Sequence, residues 1–228
     1  MIRLGVVCSS GGAVFGAAFR LLKACGYDLH LAVVTDRPCG AEALSAELAV
    51  PWKRIEQPSR DHFSAQAADW LLDVQKVEWT SLFFSRLVSK ELFARAPCVN
   101  FHPSLLPAFR GFGALKGVIG SGVRFVGATA HCVDDSTDSG AILAQVVAPV
   151  PVSASLADLE RISFAQKLYL LLVMCEHAEL GELSVLFPSG NAISGLPALT
   201  WANPALRDRQ LAEAFDQFLV RERIIWRR

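Results

Sequence analysis

An α/β fold built on a mostly parallel twisted sheet with helices on both faces is predicted by three features of the sequence. Strand-like and helix-like runs alternate through the first 110 residues, the order that parallel crossover connections require. The strand-like runs Ile2 to Cys8, Leu29 to Val34 and Trp79 to Phe84 are apolar almost throughout, as strands covered on both sides are. At 228 residues the chain fits one such domain with a sizeable core and is cramped for two. A single domain over 1–228 is therefore expected, with the sheet and the functional residues in 1–150 and a helical part in 151–228.

Between the first strands, Ala13 to Ala24, Ala41 to Leu48 and Arg60 to Leu72 carry apolar residues at helical spacing, bounded by Gly, Ser or Pro, and read as crossover helices. Cys98 to Phe101 is a short strand running into His102-Pro103, and Ser104 to Gly113 is a loop punctuated by Pro and Gly. Val123 to Val133 and Ala141 to Val150 are rich in Val and flank an Asp/Ser/Thr/Gly cluster, so they extend the sheet as two further strands joined by a loop. Ser155 followed by Asp158 has capping-box spacing, which predicts a long helix from there to about Glu179. Ala205 to Val220 is a further amphipathic helix.

The 22 basic and 22 acidic side chains cancel, which removes the electrostatic case for a nucleic-acid or membrane partner and leaves small ligands. The apolar run Leu168 to Cys175 is too short to span a bilayer. MIRLGVVCSS enters a strand directly and lacks the parts of a signal peptide, so a cytoplasmic address is expected. Six scattered cysteines form no CxxC pair and no Cys/His cluster, and are read as reduced core residues without a metal.

Three segments carry chemistry. The loop Ser9-Ser10-Gly11-Gly12 follows a strand and opens a helix, where backbone N–H groups can hold an anion; it fits neither the dinucleotide fingerprint nor the Walker loop, and a tight turn without a ligand reads the same way. Asn100 and His102 lie two apart on a strand, so a carboxamide and an imidazole leave one face. At the C-terminal edge of a parallel sheet that pair sits where such sheets bind ligands, and it suits attack on a carbonyl, one group donating to a developing oxyanion and the other carrying a proton. A purely structural histidine is the competing reading. The cluster Asp134-Asp135-Ser136-Thr137-Asp138 could supply a carboxylate that orients the imidazole, or be a solvated turn; it lacks the spacing of a calcium loop and a zinc set.

These residues resemble the folate-dependent formyltransferases, most closely the branch that acts on phosphoribosylglycinamide. The resemblance rests on Asn100-x-His102-Pro-Ser-Leu-Leu-Pro, Gly111, Gly127-Ala-Thr-Ala-His131-x-Val133, Asp138-x-Gly140 and Ile142-x-x-Gln145, in order over about Met1 to Val150. It implies catalysis by Asn100, His102 and Asp138, 10-formyltetrahydrofolate as cosubstrate, and a small primary amine as acceptor. It also implies a pterin slot formed by Arg86, Leu87 and Val88 with Val133, Asp134 and Asp135, and Arg60 beside the folate carboxylate; a solvated residue at a helix start is the alternative for Arg60. The acceptor phosphate would lie on Ser10, Gly11, Gly12 and Ala13.

The sequence departs from that branch in the acceptor half. Its phosphate-binding turn normally reads Gly-x-Gly-Ser-Asn, whereas this chain has Ser10-Gly11-Gly12-Ala13-Val14. The histidines expected after Gly111 are replaced by Phe112-Gly113-Ala114-Leu115. Formyltetrahydrofolate deformylases, amino-sugar and methionyl-tRNA formyltransferases, and a folate-binding protein without turnover are the alternatives, with neutral charge speaking against tRNA. A monomer or homodimer is expected.

Overall fold

The computed structural model describes residues 1–151, 153–183 and 201–224. Its strands are β1 (Ile2–Cys8), β2 (Leu29–Thr35), β3 (Trp52–Arg54), β4 (Trp79–Phe83), β5 (Cys98–His102), β6 (Phe125–Cys132), β7 (Ile142–Pro149) and β8 (Ala202–Asn203). Its helices are α1 (Ala13–Ala24), α2 (Gly40–Glu47), α3 (Arg60–Ala68), α4 (Lys90–Phe93), α5 (Ala114–Val118), α6 (Leu156–Glu179) and α7 (Arg209–Arg221). The chain forms two compact units, one of 1–100 with 132–136 and one of 101–131 with 137–228.

In the first unit the strands run in the order β3-β2-β1-β4-β5, every neighbouring pair parallel. β1 and β2 are buried along nearly their whole length, which is why they read as unbroken apolar runs. The chain order reverses between β1 and β4, so a topological switch point lies there, and the loops leaving the C-terminal ends of those strands flank it. Phe63, Leu71, Leu82, Val88, Leu92 and Cys98 pack into one buried cluster of this unit.

In the second unit β6, β7 and β8 are antiparallel. Five parallel strands against three antiparallel ones keep the whole set mostly parallel. Here α6 starts at the capping box that the sequence announces: the Ser155 hydroxyl accepts from the Asp158 N–H at 3.2 Å, and the Asp158 carboxylate accepts from the Ser155 N–H at 3.0 Å. Leu159 and Ile162 of α6 pack on Val126 and Ala148. The buried Glu176 carboxylate takes the backbone N–H groups of Arg207 and Asp208, which anchors the segment entering α7.

Several element boundaries differ from the sequence expectation. α7 starts at Arg209 rather than Ala205, because Asp208 caps it by accepting from Gln210 and Leu211 N–H. The helix opened by Ser59 keeps α-geometry only to Ala68 and continues as a π-helical turn over 69–74. β3 is absent from the sequence reading, being three exposed residues without apolar alternation; α4, α5 and β8 are four, five and two residues long, too short for periodicity to register. All six cysteines are free, but Cys25, Cys39 and Cys132 are partly exposed rather than core.

Candidate active site

At the switch point of the first unit the two loops singled out by sequence come together. Ser9 N–H donates to Phe83 O at 3.2 Å, and Ser85 N–H donates to the Ser9 hydroxyl at 3.3 Å. The turn that follows needs glycine at one position: Gly12 has φ +76°, and a Cβ there would lie 2.5 Å from the Phe15 ring. Gly12 caps α1 without a side chain, so Ala13 and its successors present their N–H groups at a helix start. Ser10 O accepts from Ala41 N–H at 3.0 Å, which ties this loop to the start of α2.

Beside it, Arg86 anchors the second loop. Its guanidinium donates to Gln57 O at 3.0 Å and Pro58 O at 2.8 Å, and lies 3.5 Å from the Asp36 carboxylate. Burial by itself would raise the Asp36 pKa, but hydrogen bonds from Arg37 and Ser9 and the Arg37 charge outweigh it and hold Asp36 below the usual carboxylate range. Leu87 is half exposed and Val88 buried. Among the described residues, no main-chain group of Arg86, Leu87 or Val88 makes a hydrogen bond. Val133 packs on the cluster that contains Val88, and its N–H donates to Cys98 O at 2.9 Å. Asp134 closes a turn by accepting from Ser136 N–H. Asp135 is exposed. Arg60 stands at the start of α3, half exposed and paired with its neighbour Asp61.

The second unit holds the imidazole and the carboxylate. His102, at the end of β5, is 5% exposed; its Nδ1 lies 3.2 Å from Asp138 Oδ2 and its Nε2 2.8 Å from Phe109 O. A carbonyl oxygen and a carboxylate both only accept, so each ring nitrogen faces an acceptor. Asp138 is held in turn by Gly111 N–H at 2.8 Å, and His131 Nε2 approaches its other oxygen at 3.5 Å. Asn100 precedes His102 by two residues on β5, so strand alternation gives both side chains the same face.

The structure thus brings His102 and Asp138 together across 36 positions of sequence, the pairing the sequence reading required. Sequence reasoning assigned no role to His131, although it lies in the quoted motif. Strand alternation from Thr129 does not predict its direction, because the register of β6 against β7 shifts between Ala130 and His131. Phe109 was missed because it acts through a main-chain carbonyl, which no side-chain motif records. Its φ is +53°. No group of three or more His, Cys, Asp or Glu positioned for a metal ion occurs among the described residues.

A parallel α/β unit with loops converging at its switch point, together with a buried imidazole–carboxylate pair, defines an α/β enzyme. Residues 3–173 match the family described as Formyl transferase, and the chain belongs to that family. It is 35% identical over 158 residues to a phosphoribosylglycinamide formyltransferase of Mycobacterium tuberculosis, covering 66% of this chain and 71% of that one. A phosphoribosylglycinamide formyltransferase of Bacillus subtilis is 32% identical over 168 residues, covering 71% and 86%. The crystal structure of glycinamide ribonucleotide transformylase 1 from Symbiobacterium toebii superposes with a TM-score of 0.72 at 28% identity, covering 78% of this chain and 88% of that one.

Proposed function

We propose that the chain moves the formyl group of 10-formyltetrahydrofolate to a small primary amine, phosphoribosylglycinamide or a close relative, with Asn100, His102 and Asp138 as its catalytic residues. The observation that carries this reading is the His102–Asp138 pair, buried at 3.2 Å, at the motif positions the family uses. The folate supplies an activated formyl carbon. The Asn100 carboxamide donates to the formyl oxygen as negative charge grows on it, and the His102 Nε2–H, which meets Phe109 O in the free protein, is shared with that oxygen; one well-placed donor of this kind is worth about 2.7–4 kcal/mol. Asp138 holds the ring in orientation, so that a ring proton is at hand for the leaving nitrogen.

The first unit supports folate binding by what it leaves unpaired. The main-chain N–H and C=O groups of Arg86 to Val88 are free among the described residues, with half-exposed Leu87 beside them. That is a donor–acceptor edge with an apolar contact, which fits a pteridine. Val133, Asp134 and Asp135 would form the other part of the slot. Arg60, engaged among the described residues by Asp61 on the surface, can turn to a carboxylate tail. For an acceptor phosphate, Ser10, Gly11, Gly12 and Ala13 would supply main-chain N–H groups, that of Ser10 turned to Cys8 Sγ at 3.5 Å in the free protein, and little side-chain recognition. The free cysteines and zero net charge support a cytoplasmic enzyme of small molecules, monomeric or homodimeric.

The experiment compares formate release with formyl transfer, with and without phosphoribosylglycinamide. A transferase forms formylated amine and releases almost no formate when the amine is absent. Formate appearing at the same rate with and without the amine would overturn the transferase reading in favour of a hydrolase.

A further inference from the structure

The Phe109 carbonyl that meets His102 is presented by a backbone that pays for its shape. At φ +53° a phenylalanine sits in the left-handed region that L side chains disfavour, and such a residue persists only where its surroundings over-determine it. Within the loop, the Ser104 hydroxyl donates to Ala108 O at 2.5 Å with Phe109 O at 3.4 Å, and Ala108 N–H returns to Leu105 O at 2.9 Å. These bonds close the loop on itself. They do not fix it to the sheet.

The fixing comes from β6 and β7. Thr129 and Gln145 face each other directly across that antiparallel pair. The Thr129 hydroxyl donates to Ser104 O at 2.7 Å and accepts from Leu106 N–H at 3.0 Å and from Gln145 Nε2 at 3.0 Å. One donor and two acceptor sites are all a hydroxyl has, so it is saturated. Gln145 Nε2 also donates to Leu106 O at 3.0 Å, which uses both of its hydrogens. Two positions before Thr129, Gly127 leaves space for the loop's apolar side chain: a Cβ there would lie 2.5 Å from Leu105 Cδ2 and 2.3 Å from Val146 O. This face of β6 is shaped to receive residues 104–106.

We infer that Gln145 is a positioning residue for His102, acting through Thr129 and the 104–109 loop to hold the Phe109 carbonyl against the ring. The inference rests on the reading of His102 as the proton-carrying group. Gln145 touches no reacting atom; it sets where the loop root sits, and the strained turn transmits that placement. Gln145→Leu removes both donors and leaves Leu106 O and one Thr129 lone pair unmet in a buried site. The turn at Phe109 then relaxes and the ring loses the partner of Nε2.

The test uses the full chain. Gln145→Leu is expected to lower kcat about ten- to a hundredfold, the scale of a small misplacement of a reacting group, while KM for 10-formyltetrahydrofolate stays within about twofold. Thr129→Val behaves alike, and Thr129→Ser regains turnover lost in Thr129→Val. Gln145→Glu has no donor as a carboxylate and regains one on protonation, so its turnover relative to wild type rises as pH falls. Nitrogen-15 spectra of labelled histidine report the ring independently of activity: the His102 Nε2 signal shifts in Gln145→Leu and stays in place in a surface control, Arg209→Ala. A wild-type kcat with an unmoved ring signal in Gln145→Leu overturns the inference. So does a loss of kcat that only tracks the unfolded fraction. Should Gln145→Leu not fold, the pH response of Gln145→Glu decides. If His102→Ala keeps normal turnover, the reading of the site fails instead, and the ring signal still decides whether Gln145 positions it.

Discussion

Replacing Asp138 by Asn keeps the side-chain shape, removes its charge and turns the acceptor oxygen 3.5 Å from His131 Nε2 into a donor. The carboxylate lies 3.2 Å from His102 Nδ1, and the two side chains are 8% and 5% exposed, so solvent screens the pair weakly. At that separation, with an effective dielectric constant of about 20, the attraction to a positively charged ring is about 5 kcal/mol. Desolvation cancels part of any buried pair's attraction; if about half survives, the variant loses about 2.5 kcal/mol, or nearly a hundredfold in rate. The Asn oxygen can still accept from Gly111 N–H, whose bond is now 2.8 Å, so the loop should keep its place. The assay is kcat for formyl transfer at saturating folate and amine, with circular dichroism and a thermal melt on the same preparation. A folded Asp138→Asn protein with kcat within about threefold of wild type would refute the electrostatic argument.

Three further outcomes follow from the same structure. Gly12→Ala should cost about 1–3 kcal/mol, because it forces an L-residue to φ +76° with its Cβ against Phe15; the melting temperature should fall by about 3–10 °C, while Gly11→Ala, which meets nothing within 4 Å, should hardly move it. Burial and then the Asp134 charge push the Cys132 thiol up to about 11, so at pH 8 its alkylation, mapped by mass spectrometry, should run about a hundredfold slower than that of an unstructured cysteine peptide and accelerate towards pH 11. The hydrogen bond from Arg54 holds Glu42 below the usual glutamate range; since the folded value is the lower one, its contribution to stability is present in full above the unfolded value of about 4.5 and is lost progressively as pH falls from there through the folded value. Denaturant midpoints of Glu42→Gln should therefore lie below wild type at pH 7 and approach it as pH falls below about 4.5, and a gap that stays constant would contradict the assignment.

The parts of the fold legible in the sequence are those that bury apolar side chains over several residues. β1 and β2 could be read because both faces are covered, and α6 because Ser155 and Asp158 announce its start. β3 could not: Trp52, Lys53 and Arg54 are all exposed, and its pairing to β2 is a backbone event. The same division runs through the site. His102 and Asp138 were visible as side chains with chemistry. Phe109 and Gly111 act through C=O and N–H groups, and any residue carries those. Gln145 stood in the motif with no stated role, since its two partners, Leu106 and Thr129, lie 39 and 16 positions away and only the sheet brings them to it.

A crystal structure with a formyl-folate analogue and phosphoribosylglycinamide tests the account most directly. The analogue's formyl-equivalent carbon should lie within hydrogen-bonding reach of Asn100 and His102, with the pteridine on the main chain of residues 86–88. A folate bound elsewhere, or a His102 ring turned away from that carbon, would contradict it.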